Sequence, residues 1–267
     1  MGLAEKRLGS LKLGRLDLHY HNEPSNIRAK AGSYKASPIA LLVFAGGGGT
    51  AIAANSRTPN VVQYDSPRWS GFAFGAAYSS APTGVEADIG SGTRKGYAWN
   101  LHPNHQGRNF RLGYSYWKQK ADVAGPGSDQ RGDRLYGALR WSGFEVGLAW
   151  DDANILDGLT GVKSSSRKAW SIPVQYEWGR HAAYAHYTRA RDDTITPGRD
   201  GAKMWALAYN YDLSKRTSVA VAYAKIRNDA FGVYNLDGSA GANGSPSGAV
   251  LAGEDPSHWA LTLRHNF

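Results

Sequence analysis

The sequence contains no cysteine and no long apolar run, and each absence excludes a class of protein. Without cysteine, no disulfide and no thiolate chemistry is possible. The longest apolar stretch, residues 39–45, has seven residues, whereas a membrane-spanning helix needs roughly 20. Residues 1–7 include basic side chains, but no apolar segment follows them, so they do not have the pattern of a signal peptide.

Acidic residues are scarce relative to basic ones. The chain has 31 Lys and Arg against 22 Asp and Glu, which gives a net charge of +9. The low mean hydropathy resembles that of a soluble protein. It does not exclude a membrane protein that crosses with strands, because alternating strands average apolar and polar side chains. The arrangement of the residues therefore has to decide the class.

Apolar and polar residues alternate with a period of two in about twelve segments, which predicts about twelve β-strands. The predicted strands are residues 10–20, 60–66, 72–80, 95–102, 110–119, 133–141, 144–151, 168–178, 181–190, 203–213, 217–227 and 257–267. Most are near the roughly ten residues expected of a tilted membrane strand. Pro173 cannot donate to a sheet, so we expect a local break in the pairing there.

The two faces of the predicted strands differ in an unusual way. Phe110, Leu112 and Tyr114 share one face of their segment, whereas Arg111 lies on the other. A bulky aromatic face opposite a charged face is the inverted pattern of a membrane barrel with a watery interior. The connections also alternate between short and long, as in outer-membrane proteins. The predicted fold class is an all-β, antiparallel transmembrane β-barrel, formed by one domain over residues 1–267.

The last predicted strand is strongly alternating and ends on an aromatic residue. Trp259, Leu261, Leu263 and Phe267 share one parity, and His258, Thr262, Arg264 and Asn266 share the other. If the sheet begins at residues 10–20, that strand has an open edge, which is costly in lipid. We therefore expect residues 10–20 to pair with 257–267 and to close a twelve-stranded barrel.

Four stretches resemble the general trimeric porins of Gram-negative bacteria, in particular the β-proteobacterial type. They are residues 9–15, 57–71, 211–218 and 263–267. The resemblance implies the family's sixteen-stranded barrel, of which about twelve strands are present here. The signal peptide and the first four strands have no counterpart in this chain. Residues 21–59 match the loop that folds into the lumen and constricts it.

The resemblance also implies the function and the partners. It predicts a passive diffusion channel for small hydrophilic solutes in the bacterial outer membrane, not an enzyme, with no cofactor and no metal. The expected partners are outer-membrane lipids, lipopolysaccharide, small anions and two further copies in a homotrimer, with no nucleic acid. By the same resemblance, Trp259, Leu261, Leu263 and Phe267 form the strand that the insertion machinery recognises.

Basic residues dominate the candidate pore. By resemblance, Arg15 and Arg57 flank the inward loop, although Arg15 shares the apolar parity of Leu11 and Leu13 and needs a bulge to turn inward. Glu23 is the only acidic residue in the loop. The predicted basic residues of the loop and the wall are Arg28, Lys30, Lys35, Arg111, Arg134, Arg140 and Arg264. This balance predicts a preference for anions, unless these side chains pair within the wall and contribute no field.

Two alternative functions remain open at this stage. One is a truncated, non-conducting barrel that acts as a structural, adhesin or translocator wall. The other is a barrel hydrolase, which needs a serine, a histidine and an acidic or amide partner near the lipid surface. His265 has the lipid-facing parity, but the pattern pairs no serine with it.

Overall fold

Among the described residues, thirteen antiparallel strands form one sheet, and they follow each other in chain order except where one segment leaves the sheet. The computed structural model describes residues 1–22, 37–42, 44–45, 47, 50–52, 57–82, 96–121, 129–236 and 250–267. The strands of the sheet are β1 (Gly2–Glu5), β2 (Gly9–Asp17), β5 (Arg57–Asp65), β6 (Phe72–Ser79), β7 (Tyr97–Gln106), β8 (Phe110–Lys120), β9 (Asp129–Trp141), β10 (Phe144–Leu156), β11 (Lys163–Trp178), β12 (His181–Ala190), β13 (Ala202–Asp212), β14 (Thr217–Asn228) and β15 (Ser257–His265).

The segment between β2 and β5 contains small elements of its own. Two four-residue helices, α1 (His19–Asn22) and α2 (Ile39–Leu42), lie in it. Strands β3 (Phe44–Ala45) and β4 (Thr50–Ala51) pair with each other in a separate two-stranded sheet. Within the described ranges, neither helix is long and apolar enough to cross a membrane.

The twelve predicted strands are confirmed, with shifted ends. Strands β9, β10 and β11 extend further toward the long connections than predicted, because their polar ends do not alternate. Tyr20, predicted as the end of a strand, lies in α1 instead. Strand β1 was not predicted, since four residues that are exposed on both faces give no alternating signal.

The side chains of the sheet are distributed inside out, as predicted. The inner face of β13 carries Met204 and Ala206, both 0% exposed, whereas Leu207 and Tyr209 on the outer face are 55% and 40% exposed. The same alternation recurs along β6 to β12. Outer aromatic rings contact each other across strands, as in the pair Tyr223 and Trp259, whose ring centroids lie 4.6 Å apart. Small inner residues and large outer ones indicate a sheet whose outer face meets lipid.

The short connections are tight turns at one end of the sheet. Between β9 and β10 the turn has two residues, Ser142 with φ 44° and Gly143 with φ 84°. Positive φ at both central residues matches the type I′ turn that suits the twist of a hairpin. A Cβ at Gly143 would lie 2.5 Å from the carbonyl oxygen of Glu177, so glycine is required there.

The break expected at Pro173 is confirmed, but on one side only. Pairing between β10 and β11 stops after Val146↔Val174 and resumes at Ala149↔Ser171. On the other side, Pro173 stays in register with His186 of β12. The missing N–H of proline therefore interrupts the ladder toward β10 while the strand continues.

The expected pairing of residues 10–20 with 257–267 is wrong. Strand β1 pairs with the free side of β2, from Gly2↔Lys12 to Glu5↔Gly9. Strand β15 pairs with β14 alone. In the described part of the chain the sheet thus has two edges, β1 and β15, and does not close on itself.

The described helices of the segment between β2 and β5 lie on the inner face of the sheet. Helix α1 packs on β7 and β8, and α2 packs on β11 and β12. Tyr20, Leu41 and Leu42 are fully buried there. The longest apolar run of the sequence thus covers part of the inner wall. The described residues between positions 18 and 56 are called the inward segment below. This range differs slightly from the predicted 21–59, because Arg57 already belongs to β5.

A glycine makes room for the first contact of the inward segment. A Cβ at Gly132 of β9 would lie 2.4 Å from the ring of Tyr20, which is far inside van der Waals contact. The wall at this point is therefore bare backbone, and the aromatic ring occupies the space that a side chain would take.

We expect Gly132→Ala to displace Tyr20 and to lower the free energy of unfolding by about 1–3 kcal/mol, as overpacking does elsewhere. The measurement is thermal unfolding of the folded protein in detergent, followed by circular dichroism. Gly137→Ala on the same strand is the matched control, since its nearest heavy atom is 3.2 Å away and no ring lies there. Equal unfolding temperatures for both variants would contradict the proposed fit of Tyr20.

Candidate functional site

A buried cluster of three charged residues lies on the inner wall beneath the inward segment. Arg134 of β9, Asp151 of β10 and Arg167 of β11 are each 0% exposed. Arg134 Nε donates to one carboxylate oxygen of Asp151 at 2.8 Å, and an Arg167 terminal nitrogen donates to the other at 2.9 Å. Three adjacent strands bring these side chains to one face. Buried charges are tolerated only when paired and hydrogen-bonded, and Asp151 pairs with both arginines.

The same two arginines hold the backbone of the inward segment. Arg134 donates to the carbonyl oxygen of Leu42 at 2.7 Å and to that of Tyr20. Arg167 donates to the carbonyl oxygen of Leu42 at 3.2 Å. Leu42 ends α2, where the carbonyl groups have no partner within the helix. The guanidinium groups therefore supply the hydrogen bonds that this helix end lacks.

Tyr20 connects α1 to the same cluster. Its hydroxyl donates to Asp151 at 2.8 Å, and its backbone N–H donates to Asn100 of β7 at 3.2 Å. The guanidinium carbon of Arg134 lies 4.4 Å from the centre of the Tyr20 ring, a cation–π contact. Burial, reinforced by the negative charge of Asp151, raises the pKa of Tyr20 well above its usual value, so the phenol stays protonated.

A second group of inner side chains meets the start of the inward segment. His19 of α1 contacts Asp65 at 2.7 Å, and Lys12 binds the other oxygen of that carboxylate at 2.8 Å. The His19 ring stacks on His102, with centroids 4.2 Å apart. His102 in turn contacts the Tyr136 hydroxyl at 2.6 Å. These contacts hold α1 in place toward the end of the sheet where the short turns lie.

Two of the predicted wall arginines pair within the wall. Arg111 and Arg140 contact the two oxygens of Glu145 at 2.9 Å and 3.1 Å. Gln175 and Glu177 line the same recess at the short-turn end. Glu177 supplies a second carboxylate, which balances the charge of the second arginine. This recess therefore has little net charge. Arg140 remains half exposed, whereas Arg111 is mostly buried.

Arg264 is the last of the predicted wall arginines along the chain. It lies on the inner parity of β15, opposite Ser218, and is exposed. Its Nε lies 3.3 Å from the side-chain oxygen of Asn266. The recess around it also contains Asp212, Lys215 and Arg216, so three cations there face a single carboxylate.

Arg15 and Arg57 lie on the outer face, which corrects the inner position that the resemblance implies. Arg15 keeps the exposed parity of Leu11 and donates to the Arg57 carbonyl oxygen at 3.1 Å. The register shifts between Gly14↔Val61 and Leu16↔Thr58.

The shift is a bulge in β5, because the two residues Pro59 and Asn60 oppose Arg15 alone. Asn60 has a positive φ of 52°. Strict alternation from the buried Val61 would place Arg57 inside. The extra residue instead buries Thr58 and turns Arg57 outward. A bulge is therefore present, but it lies in the partner strand and does not turn Arg15 inward.

The predicted loop residues Glu23, Arg28, Lys30 and Lys35 fall outside the described residues, and their role remains a prediction. The predicted assembly residues are placed as their alternation indicates. Trp259, Leu261 and Leu263 are 70%, 86% and 70% exposed on the outer face of β15, and Phe267 is fully exposed.

Polar side chains on the inner wall are hydrogen-bonded to one another. The buried Asp151 of this wall has two arginines and a phenol as partners.

His265, considered above for a hydrolase, contacts the Thr217 hydroxyl at 2.9 Å. Among the described residues, no group of three or more side chains is arranged to hold a metal ion.

Sequence reasoning identified Arg134 from its parity but missed its partners. Tyr20, Leu42, Asp151 and Arg167 are far apart in sequence, and no short motif contains them. One signal was present, since Arg134, Asp151 and Arg167 all have inner parity near the same end of adjacent strands.

Comparisons with known proteins agree with this architecture. A family profile described as Gram-negative porin matches residues 1–230. No curated protein matches the chain. Among solved structures, an anion-selective porin from Comamonas acidovorans is similar, with a TM-score of 0.75 and 18% identity over 98% of this chain and 75% of that one.

Two further structures are similar at lower identity. The outer-membrane expressed OmpT of Vibrio cholerae has a TM-score of 0.66 and 12% identity, over 100% of this chain and 79% of that one. A Salmonella typhi OmpF complex with daunomycin has a TM-score of 0.63 and 14% identity, over 99% and 76%. These likenesses show a fold similar to that of porin β-barrels. With the family profile covering most of the sequence, the chain belongs to the Gram-negative porins, which are β-barrel proteins of the outer membrane.

Proposed function

We propose that the protein is a passive diffusion channel for small hydrophilic solutes, narrowed by the inward segment and selective for anions. The observation that carries this proposal is the attachment of α1 and α2 to the inner wall by Arg134 and Arg167. A segment fixed across the inner face reduces the space open to solutes. Polar and charged side chains around it provide the surface on which solutes are selected.

The charge of the wall supports the preference for anions. Arg134 and Arg167 share one carboxylate, Asp151, which leaves one net positive charge at the base of the inward segment. The recess around Arg264 has three cations and one carboxylate, Asp212. A unit charge about 4 Å from an anion changes its energy by about 1 kcal/mol in water and about 4 kcal/mol at an effective dielectric of about 20. The similar porin from Comamonas acidovorans is anion-selective, which is consistent with this charge argument.

The proposed channel also includes parts that the described residues do not cover. Arg28, Lys30 and Lys35, against Glu23 alone, would add positive charge to the constriction. We further propose a homotrimer in the outer membrane, as the family resemblance implies, with lipids and lipopolysaccharide around it.

We expect the protein in a planar bilayer to show a reversal potential across a KCl gradient at low salt whose sign indicates anion selectivity. Arg264→Glu should shift the potential toward cations, because it replaces an exposed inner cation by an anion. Arg57→Glu is the matched control and should change the potential little, since Arg57 lies on the outer face. The preference should fade as the Debye length falls from about 10 Å at 0.1 M salt to about 3 Å at 1 M.

A cation-selective potential in the unmodified protein would refute the anion preference. No current at all would favour the non-conducting wall over the channel.

We expect Arg134→Lys to increase the single-channel current and to make it fluctuate more. Lysine keeps the charge, but its single ammonium group cannot bridge Asp151, Leu42 and Tyr20 as the guanidinium fork does. The inward segment should therefore be held less firmly. Single-channel recordings measure the effect, and Arg131→Lys on the outer face of the same strand is the control. Identical currents from both variants would disprove the proposed role of Arg134 in holding the segment.

We also propose that the exposed apolar face of β15 directs assembly. Deleting Phe267 should strongly reduce insertion into the outer membrane, because it removes the terminal aromatic residue of that face. Phe267→Tyr keeps an aromatic ring and should insert normally. The amount of heat-modifiable protein in isolated outer membranes distinguishes the two, and equal amounts for the deletion and the intact protein would contradict the proposal.

A further inference from the structure

The chain that follows β14 packs against the inner wall and the inward segment. Residues 229–236, the described part of this connection next to β14, are called the strap below. Burial differs between its two faces, since Tyr234 and Leu236 are 0% and 4% exposed, whereas Phe231 is 62% exposed. Alternation of this kind is typical of an extended chain with one face against a protein surface.

The buried face of the strap contacts the apolar residues of α2. Tyr234 and Leu236 belong to one apolar cluster with all four residues of this helix, Ile39–Leu42. The same cluster contains Met204 and Ile226 from the inner faces of β13 and β14. The strap, α2 and the inner wall therefore share a single apolar core.

A backbone hydrogen bond also joins the strap to the inward segment. The N–H of Val233 donates to the carbonyl oxygen of Gly47 at 2.7 Å. A Cβ at Gly47 would lie 3.1 Å from the Cβ of Asp200 in the connection between β12 and β13, so the backbone passes close to that connection as well. These contacts are separate from the hydrogen bonds that Arg134 and Arg167 donate to the same segment.

One side chain fixes the strap at its base. The Asn228 side-chain amide accepts from the Tyr234 N–H and donates to the Tyr234 carbonyl oxygen, each at 3.0 Å. It also donates to the carbonyl oxygen of Glu254 at 2.6 Å, and the Asn228 N–H donates to the Asp255 carboxylate at 3.0 Å. Asn228 therefore joins the two described ends of the connection between β14 and β15. It holds Tyr234 by the same pair of bonds that a neighbouring antiparallel strand would make.

Tyr234 is held by packing and not by its hydroxyl. Among the described residues, this buried hydroxyl has no hydrogen-bond partner. Burial raises the pKa of Tyr234, and the positive charge of Arg167 opposes that rise only in part, so the phenol stays protonated. The contribution of the side chain is therefore the volume of its ring in the shared core, which phenylalanine would also supply.

We propose that Asn228 and Tyr234 are positioning residues of the constriction, because they hold in place the strap that packs on α2. Arg134 and Arg167 bind the inward segment through backbone carbonyls, and the strap adds an apolar contact from the side of the long connections. The effect on solutes rests on the proposed channel function. The attachment of α2 is independent of it and can be measured without any current.

The test measures hydrogen exchange of α2 in the folded protein in detergent, by mass spectrometry. The N–H groups of Leu41 and Leu42 donate to the carbonyl oxygen of Pro38, so their exchange reports how firmly this turn is held. We expect Tyr234→Ala to speed this exchange roughly 100-fold, because it removes a large buried ring. The matched control is Phe231→Ala, which removes an exposed ring from the same strap and should leave the exchange unchanged.

Two further variants separate positioning from general folding. Tyr234→Phe keeps the ring and should exchange as slowly as the unmodified protein. Asn228→Ala removes the four bonds at the base of the strap except that of its own N–H, and should speed exchange in α2. Exchange in β7, whose inner Ala98 belongs to a different apolar cluster, should stay slow in every variant. In a planar bilayer, Tyr234→Ala should increase the single-channel conductance, and Tyr234→Phe should not.

Several results would overturn the proposal. Slow exchange of α2 in both Tyr234→Ala and Asn228→Ala would show that the strap does not hold this helix. Equally faster exchange in β7 would indicate a general loss of stability, and an equal effect of Phe231→Ala would remove the special role of the buried face. Faster exchange of α2 without any change in conductance would exclude a role in the constriction. A lack of current in the unmodified protein would instead refute the proposed channel, while the exchange of α2 would still decide the attachment.

Discussion

The buried carboxylate of Asp151 is the interaction on which the inner half of the structure depends. It pairs with two arginines that would otherwise be costly to bury, and it accepts a hydrogen bond from Tyr20. Because it satisfies one side of each guanidinium, the remaining N–H groups are free to bind the carbonyl oxygens of the inward segment. Removing one partner from such a buried group costs about 3–5 kcal/mol, since the others are left unpaired. The strands and the segment that covers them are therefore stabilised together.

The outer half of the structure follows a different constraint. Its apolar side chains are exposed in the isolated chain, and their burial is supplied by lipid. Glycine and alanine on the inner face leave room for His19, Tyr20 and Tyr136, whose rings lie where a Cβ at Gly75, Gly132 or Gly113 would be. The large side chains of the sheet therefore lie on its outer face, and the unoccupied space lies on its inner face. That distribution lets a polar wall and an inserted segment coexist with a lipid-facing surface.

Much of this architecture could be predicted from the sequence because strands have a period of two. Alternation located the twelve longer strands and assigned their faces, and Pro173 predicted a break. Alternation predicts the wrong face where a bulge adds one residue to a strand. The bulge at Pro59 and Asn60 reverses the face of Arg57, and nothing in the neighbouring residues shows it. Strand β1 is too short to alternate, so the pairing of β2 was assigned to the wrong strand. The cluster around Asp151 was missed because its members meet only through the register of three strands.

Attachment through backbone carbonyls has a consequence for how the channel can change in evolution. Arg134 and Arg167 hold Leu42 by a group that every amino acid possesses. Many side chains of the inward segment can therefore be replaced without loss of this anchor, provided that the helix end stays in place. In the proposed channel, selectivity and attachment would then be determined by different residues. Mutation could alter the polar surface of the segment while the geometry of its attachment is inherited unchanged.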